Sequence, residues 1–333
     1  MSATRERHRP RLVAGIDEAG LGPLLGPLTL GYSVLRLPGG GLNVWEELAE
    51  IVAQEPTRDA EHVIVADSKR VYSRNPRGRR RLETTALGFL ALRSIGPPTS
   101  GADLLRTAPR EIRPRAAEIT RHPWYTELPA ELPVWTDPGR LELRAESLRR
   151  TLAKKEIVLV DAAVRVIPAG ELNRSYIETN NKSATVWERV GGMLEYLWNT
   201  YGDKGVHVIV DRQGGRFRYG SLLARRFRGA RVQVGLESPD HSEYRLEGDE
   251  GRTMRLTFAE KAEDRAFTVA LASCLAKYAR ELSMSAFNRY FQALQPDLAP
   301  TAGYTTDGRR WVRDAADTLR KAGIDRDVLV RQR

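Results

Sequence analysis

The acidic residues with the clearest chemical potential stand where apolar segments end. Residues 12–16 form a short apolar run that leads into Asp17 and Glu18, and residues 206–210 lead in the same way into Asp211. A carboxylate in such a place loses hydration, and several together repel one another. A bound divalent cation relieves both effects, and oxygen ligands favour Mg²⁺ or Mn²⁺. The alternative is that each acid forms an ordinary ion pair with an arginine.

The segments that carry these acids have the patterns of strands. Residues 12–16 and 28–37 are apolar runs joined by a glycine- and proline-rich loop, which predicts a hairpin. Residues 206–210 predict a buried strand of the parallel type. Residues 63–66 predict a short strand that delivers Asp67-Ser68-Lys69 into a loop. Strands interleaved with helices predict an α/β domain with a mixed central sheet flanked by helices.

The chain divides into three parts by composition. Residues 1–10 predict a flexible basic N-terminus, and residues 11–333 predict one domain. A proline-rich stretch at about 96–141 predicts an irregular inserted subdomain whose aromatic residues pack against the body. Helical spacing predicts single helices over 173–200 and 264–294.

Composition narrows the class of protein. Of 333 residues, 41% are hydrophobic, which excludes wholesale disorder, and no apolar stretch approaches the roughly 20 residues of a membrane span. Cys274 is the single cysteine, so no intrachain disulfide framework exists. A soluble, cytoplasmic monomer is expected. The formal net charge of +10, carried mostly by arginine, indicates a nucleic-acid partner, although a GC-rich genome also raises arginine content.

Five motifs follow one another in the chain. They are 13–27 (VAGIDEAGLGPLLGP), Asp67-Ser68-Lys69, 208–211 (VIVD), Lys261-Ala262-Glu263 with 273–277 (SCLAK), and Gly303-Tyr304-Thr305-Thr306. In this order they resemble the motifs of the type 2 ribonucleases H, the HII and HIII enzymes. The ordered set covers most of the chain outside 96–141 and is far more specific than one Asp-Glu pair.

The resemblance implies a ribonuclease H-like fold with a C-terminal helical part. It implies a metal-dependent endonuclease that hydrolyses the RNA strand of RNA–DNA hybrids, leaves 5′-phosphates and uses two divalent ions, Mg²⁺ or Mn²⁺. The implied catalytic and metal-binding residues are Asp17, Glu18, Asp211 and Glu263. The implied substrate-binding residues are Gly20, Leu21, Gly22, Ser68, Lys69, Lys277 and Tyr304.

Three positions depart from the pattern of the HII branch. Leu21 stands where that branch has an arginine between two glycines, and Glu263 stands where it usually has aspartate. Asp211 is followed by Arg212 where that branch commonly has glycine. These departures together indicate a divergent branch. Leu21 in particular predicts poor cleavage at a single ribonucleotide embedded in DNA, because leucine offers neither charge nor donor.

Three alternatives stay open from the sequence. Asp264 is the alternative fourth ligand, although its place before the predicted helix favours a capping role. A nuclease of the same fold that selects a DNA structure is a second possible function, and a nucleic-acid-binding module with weak turnover is a third.

Overall fold

The structure, a computed structural model, describes residues 11–39, 42–56 and 62–332. The predicted basic N-terminus at 1–10 lies outside the described residues. The strands are β1 Arg11–Ala19, β2 Leu28–Leu37, β3 Val52–Ala53, β4 Val63–Ile64, β5 Val158–Ile167, β6 Val206–Asp211, β7 Arg231–Glu237, β8 His241–Glu247 and β9 Thr253–Ala259.

The α-helices are α1 Val44–Glu47, α2 Ser68–Val71, α3 Pro76–Leu90, α4 Gly101–Leu105, α5 Ala116–Thr120, α6 Pro138–Lys154, α7 Ala169–Thr179, α8 Lys182–Tyr201, α9 Gly220–Arg226, α10 Phe267–Leu294, α11 Thr305–Asp314, α12 Ala316–Lys321 and α13 Arg326–Leu329. Short 3-10 helices cover Pro123–Glu127, Gly202–Lys204, Asp249–Gly251 and Ala262–Asp264. In the part of the chain that the structure describes, no helix is both long and apolar enough to cross a bilayer.

The central sheet is mixed, as predicted. In the described ranges it has seven strands in the order β5-β2-β1-β6-β9-β8-β7. The β1–β6 and β6–β9 pairs are parallel, and the other neighbours are antiparallel. The predicted hairpin of β1 with β2 and the predicted parallel strand β6 are both confirmed. The three parallel strands therefore end at the same edge of the sheet.

Each face of the sheet packs against its own layer of helices. Side chains alternate between the faces of a strand, so Leu12, Ala14 and Ile16 enter a core that also contains side chains of α8. On the opposite face Gly15 lies against α10. A Cβ atom at Gly15 would lie 2.2 Å from the backbone carbon of Thr268. Only glycine allows the first turn of α10 to lie this close to β1.

The predicted single helix over 173–200 is wrong. α7 ends before Asn180, which is left-handed with a φ of 45°, and α8 begins after Asn181. The Asn181 side chain accepts a hydrogen bond from the Ala184 N–H at 3.1 Å. The break depends on one asparagine that tolerates the left-handed region, and a helical pattern of apolar residues on both sides hides it.

The predicted cap at Asp264 is also wrong. α10 begins at Phe267, and its N-cap residue Ala266 offers no side-chain hydrogen bond. Asp264 belongs instead to the 3-10 helix Ala262–Asp264, and its Oδ1 lies 3.2 Å from the Arg70 Nη2. The tight 3-10 turn places this carboxylate beyond reach of the first N–H groups of α10.

Residues 96–141 are ordered around short helices and contact the long helix α10. Trp124 is 2% exposed, and its ring centre lies 5.3 Å from Phe287 and 5.8 Å from Phe291. The prediction that aromatic residues of this stretch pack against the body is confirmed for Trp124. The division of the chain into a domain and an insertion stays a prediction.

A buried carboxylate holds the end of this stretch in place. Glu83 of α3 is fully buried and accepts hydrogen bonds from the backbone N–H groups of Val134, Trp135 and Thr136 at 2.6–2.7 Å. It also accepts one from the Tyr278 hydroxyl at 2.9 Å. Four donors converge on one carboxylate, so this segment is fixed to α3 and α10 together.

Candidate active site

The ends of two parallel strands bring Asp17 and Asp211 side by side. The register of β1 with β6 pairs Ile16 with Val210, so the next residue on each strand is an aspartate. Both aspartates lie on the face that α10 covers. Glu18, one position further on β1, points to the opposite face because successive side chains alternate.

Glu263 reaches the same edge from the turn that follows β9. The Ala262 N–H donates to Asp211 Oδ1 at 3.1 Å, which fixes the turn beside that aspartate. Lys261 precedes it in the left-handed region with a φ of 53°, a conformation that is uncommon for a residue with a side chain. Glu263 is consequently only 9% exposed.

Burial and mutual repulsion disfavour the charged forms of these acids. Burial, then the Glu18 and Asp211 charges, raises the pKa of Asp17 well above its ordinary value. Burial, then Asp211 and Glu263, raises the pKa of Glu18 to about 8. Burial raises the pKa of Glu263 to about 7, with further increases from Asp211 and Asp67. Burial also raises the pKa of Asp211. The four carboxylates therefore act on one another as one cluster.

The acid cluster, defined as Asp17, Glu18, Asp211 and Glu263, has no arginine partner. Among the residues that the structure describes, no ion pair joins any of the four to an arginine. The ordinary ion pair, which the sequence left open, is therefore excluded for them in this part of the chain. Asp264 does form such a pair with Arg70, at 3.2 Å.

The donor chemistry of the cluster fits a hard divalent cation. All four side chains offer carboxylate oxygens, and Glu263 Oε2 is buried without a hydrogen-bond partner in the described ranges. No three His, Cys, Asp or Glu side chains there are already spaced to hold one metal ion. Asp17 and Glu18 diverge across the strand, so a cation would have to draw the carboxylates together.

Asp67-Ser68-Lys69 lies directly beside the acid cluster. Asp67 caps α2 by accepting the Lys69 N–H at 3.0 Å. Lys69 has an 86% exposed side chain, 3.7 Å from Asp67 Oδ2. Asp67 first, and then Glu263, Asp17 and Asp211, raise the pKa of Lys69. An exposed ammonium group thus faces the acids from solvent.

Ser273 is a site residue that the sequence reasoning missed. Its hydroxyl oxygen accepts the Ser68 N–H at 3.3 Å and also hydrogen-bonds to Asp17, which lowers the pKa of that acid. Its place among small residues of α10 indicated only close packing against the sheet. The detectable signal was its polarity at a buried position.

Two buried arginines support the glycine loop, residues 20–27. Gly20 has a φ of +87°, and a Cβ atom there would lie 2.7 Å from the Arg280 guanidinium. Arg280 donates to the carbonyls of Pro27 at 2.5 Å and Ala302 at 3.2 Å. Arg331 donates to the carbonyl of Gly26 at 2.8 Å and to that of Gly20. The loop backbone beside Asp17 and Glu18 is therefore held from behind.

The side chain of Leu21 belongs to apolar packing. It lines a small cavity with Leu28, Leu172 and Val186, and it packs against the core on the α8 face of the sheet. Gly22 is exposed, and a Cβ atom there would have nothing within 4 Å. The exposed surface at Gly22 is thus formed by the backbone of the loop.

Tyr304 lies beside the glycine loop, and Lys277 lies on α10 one helical turn after Ser273. The Gly303 carbonyl accepts the N–H groups of Leu24 at 2.7 Å and Leu25 at 3.1 Å, and the adjacent Tyr304 side chain is 52% exposed. Lys277 pairs with Glu281 at 2.5 Å. Lys277 and Tyr304 line one groove together with Lys69, and their roles as substrate-binding residues stay predictions.

Comparisons with known proteins find structural neighbours only. No family model matches this chain, and no curated relative is found. Ribonuclease HII in its complex with PCNA from Archaeoglobus fulgidus is similar at 15% identity and a TM-score of 0.41, over 97% of this chain and 94% of that chain. Ribonuclease H2 from Pyrococcus horikoshii OT3 is similar at 15% identity and a TM-score of 0.41, over 96% of this chain and 92% of that chain. Bst-RNase HIII in complex with Mn²⁺ is similar at 15% identity and a TM-score of 0.42, over 98% of this chain and 67% of that chain.

Proposed function

We propose that this chain is a divalent-metal-dependent endonuclease that hydrolyses the RNA strand of RNA–DNA hybrids. The observation that carries the proposal is the acid cluster. Its four carboxylates lie at one sheet edge, their pKa values are raised, and none pairs with an arginine among the described residues. Such a cluster is unfavourable by itself and suits a cationic ligand.

Two ions, Mg²⁺ or Mn²⁺, would supply an activated water and a charge to stabilise the leaving 3′ oxygen. Asp17, Glu18, Asp211 and Glu263 would hold them. Glu263 Oε2, which is buried and unpartnered, offers a free ligand atom. Ser273 hydrogen-bonds to Asp17, and the Ala262 N–H hydrogen-bonds to Asp211, so both carboxylates have a protein donor that would limit their movement when the ions bind.

The substrate would lie across the exposed groups around the cluster. Lys69 would meet a backbone phosphate beside the acids. The backbone near Gly22 would approach the 2′-hydroxyl, the group by which such a site tells RNA from DNA. The exposed ring of Tyr304 would lie against a sugar next to the cut.

The direct test is cleavage of labelled RNA–DNA hybrid, duplex DNA and duplex RNA by the purified protein in Mg²⁺, Mn²⁺ or EDTA. Only the RNA strand of the hybrid should be cut, and only with metal. Asp17→Asn and Asp211→Asn should abolish cleavage but keep or strengthen hybrid binding, because the site then repels phosphate less.

Asp264→Asn is the matched control, since it makes the same chemical change just outside the cluster. It should cut like the wild type. Near-normal turnover by Asp17→Asn, or equal cutting of duplex DNA, would overturn the proposal.

A further inference from the structure

A groove leaves the acid cluster along α10. It begins at Lys69, passes Lys277 and Arg289, and ends at Gln292, with a cavity volume of about 830 Å³. The stretch of α10 from Lys277 to Gln292 corresponds to about 22 Å at the helical rise of 1.5 Å per residue. Tyr304 lies on its other rim.

The lining of the groove contains more positively charged side chains than negatively charged ones. Its lining includes the positively charged side chains Lys69, Arg74, Arg79, Lys277, Arg280 and Arg289, against Glu281 and Asp307. Glu281 is engaged by Lys277 at 2.5 Å, and Asp307 by Arg310 at 2.8 Å. In the described ranges Arg74, Arg79 and Arg289 have no carboxylate partner. The positive charges of these three guanidinium groups are therefore not neutralised by any described carboxylate.

One wall of the groove comes from the 96–141 stretch. Trp135 is half-buried, with its ring edge-on to Tyr278 at 5.8 Å, and the Arg79 guanidinium lies 5.9 Å from the Trp135 ring centre. The Glu83 carboxylate fixes the backbone of this segment. Arg289 donates to the Glu127 carbonyl at 3.3 Å and ties a second point of the stretch to α10. The wall is thus rigidly attached to the helix that forms the floor.

We propose that this groove binds the sugar-phosphate backbone of one duplex arm that leads away from the acid cluster. The inference rests on the proposed function, because it takes the cluster as the point of cutting. Guanidinium groups bind phosphate through two hydrogen bonds and carry no sequence preference there. At about 3.4 Å per nucleotide of a strand, the groove length corresponds to about six base pairs. The 96–141 stretch would therefore extend the footprint on the substrate.

The test compares two triple variants that remove equal charge. Arg74→Ala/Arg79→Ala/Arg289→Ala empties the groove wall, and Arg106→Ala/Arg150→Ala/Arg320→Ala removes three exposed arginines elsewhere. Hybrid binding is measured in EDTA between about 50 and 200 mM salt. The groove variant should lose about 0.9 from the slope of log K against log salt for each phosphate contact removed. The control should keep the wild-type slope.

Varying the length of the duplex arm on the groove side shows whether the loss of hybrid binding arises in the groove. With an arm of about twelve base pairs on the groove side, the groove variant should bind at least tenfold more weakly than wild type. With an arm of about four base pairs the two proteins should bind alike, because the arm no longer fills the groove. Trp135→Ala should weaken binding of the long arm, and Trp135→Phe should restore most of it. Melting curves confirm that each variant is folded.

The outcomes separate the two proposals. Equal losses in both triple variants at every arm length would mean that bulk charge alone binds the substrate, and would overturn the groove. A wild type that binds long arms through the groove but cuts no hybrid would overturn the proposed function and leave the groove standing. If the wild type cuts hybrid and the groove variant shows a normal KM on long arms, the groove proposal is overturned and the proposed function stands.

Discussion

At the scale of single residues, Glu263 and Asp264 are adjacent acids with different surroundings. Glu263 is 9% exposed and has an unpartnered oxygen, whereas Asp264 is paired with Arg70 in a more exposed place. Sequence alone left both as candidates for the fourth metal ligand. Their environments favour Glu263.

Glu263→Gln should lower the cleavage rate by about a hundredfold or more, because an amide is a poor ligand for a hard cation. Asp264→Asn should change the rate less than about twofold and the free energy of unfolding by less than about 1 kcal/mol, as expected for a partly exposed ion pair. Single-turnover rates and urea unfolding of both variants check this. The reverse ranking of rates would assign the metal to Asp264.

Leu21 stands where the HII branch has arginine. Leucine cannot donate a charged hydrogen bond to the phosphate beside a single 2′-hydroxyl, so that contact with the substrate is missing. A lost charged hydrogen bond of about 1.5 kcal/mol corresponds to about tenfold in rate. We expect a single ribonucleotide in duplex DNA to be cut at least about tenfold more slowly than a run of ribonucleotides at matched salt. Equal rates on the two substrates would contradict this.

Leu21→Arg should restore part of the missing activity and also lower Tm. The restoration follows from the added charge, and the lower Tm follows because the leucine side chain lines an apolar cavity with Leu28 and Leu172. Leu21→Met keeps the packing without the charge and serves as the control.

At the scale of elements, the attachment of the 133–136 segment depends on one side chain. Glu83→Gln replaces one acceptor oxygen with a donor, which then faces buried N–H groups. We expect a loss of about 2 kcal/mol or more in the free energy of unfolding, since unsatisfied buried donors are expensive. Glu146→Gln, on the exposed face of α6, should lose little. Urea unfolding of both variants, together with proteolysis near residue 133, measures the effect.

β6 carries a half-buried histidine, His207, whose charged form opposes folding. Burial, and then Arg255 and Arg11, lower the pKa of His207 to about 4. The unfolded chain takes up its proton near pH 6.5, before the native state does, so stability is full above about pH 6.5 and falls as pH drops toward 4. The loss at this residue is at most about 3 kcal/mol. His207→Gln should flatten the decline of Tm between these values, and an unchanged decline would exclude this source.

Local sequence patterns predicted the strands that position the acids. The roles of Ser273 and Glu83 were not predicted, because they depend on contacts between residues far apart in the chain. β1, β2 and β6 have apolar runs with clear ends, so their acids could be assigned to strand ends. Ser273 acts through contacts with Ser68 and Asp17, more than 200 residues away in the chain. Glu83 likewise acts through backbone groups of another segment. No local pattern encodes such pairings, and the break at Asn180 was too short to detect.

At the scale of the whole molecule, burial and mutual repulsion of the acids in the cluster lower the stability of the metal-free protein. Asp17→Asn removes one buried charge from a group of four, so the metal-free protein should melt about 2 °C higher than wild type in EDTA. Mn²⁺ should raise the Tm of wild type and have a smaller effect on the variant, because a ligand that binds the native state stabilises it. Asp264→Asn should respond to Mn²⁺ like wild type. A lower Tm for Asp17→Asn in EDTA would contradict the repulsion argument.

The contact of Arg331 with the glycine loop has a consequence for the order of events during synthesis. The Arg331 side chain donates to the Gly20 carbonyl across 311 residues of chain, and its backbone N–H donates to the Leu24 carbonyl. A ribosome therefore releases the loop long before it translates the arginine that supports it. Since chains emerge at about 5–20 residues per second, the loop waits on the order of tens of seconds for this support. The nascent chain thus acquires this support for its site only after residue 331 has been made.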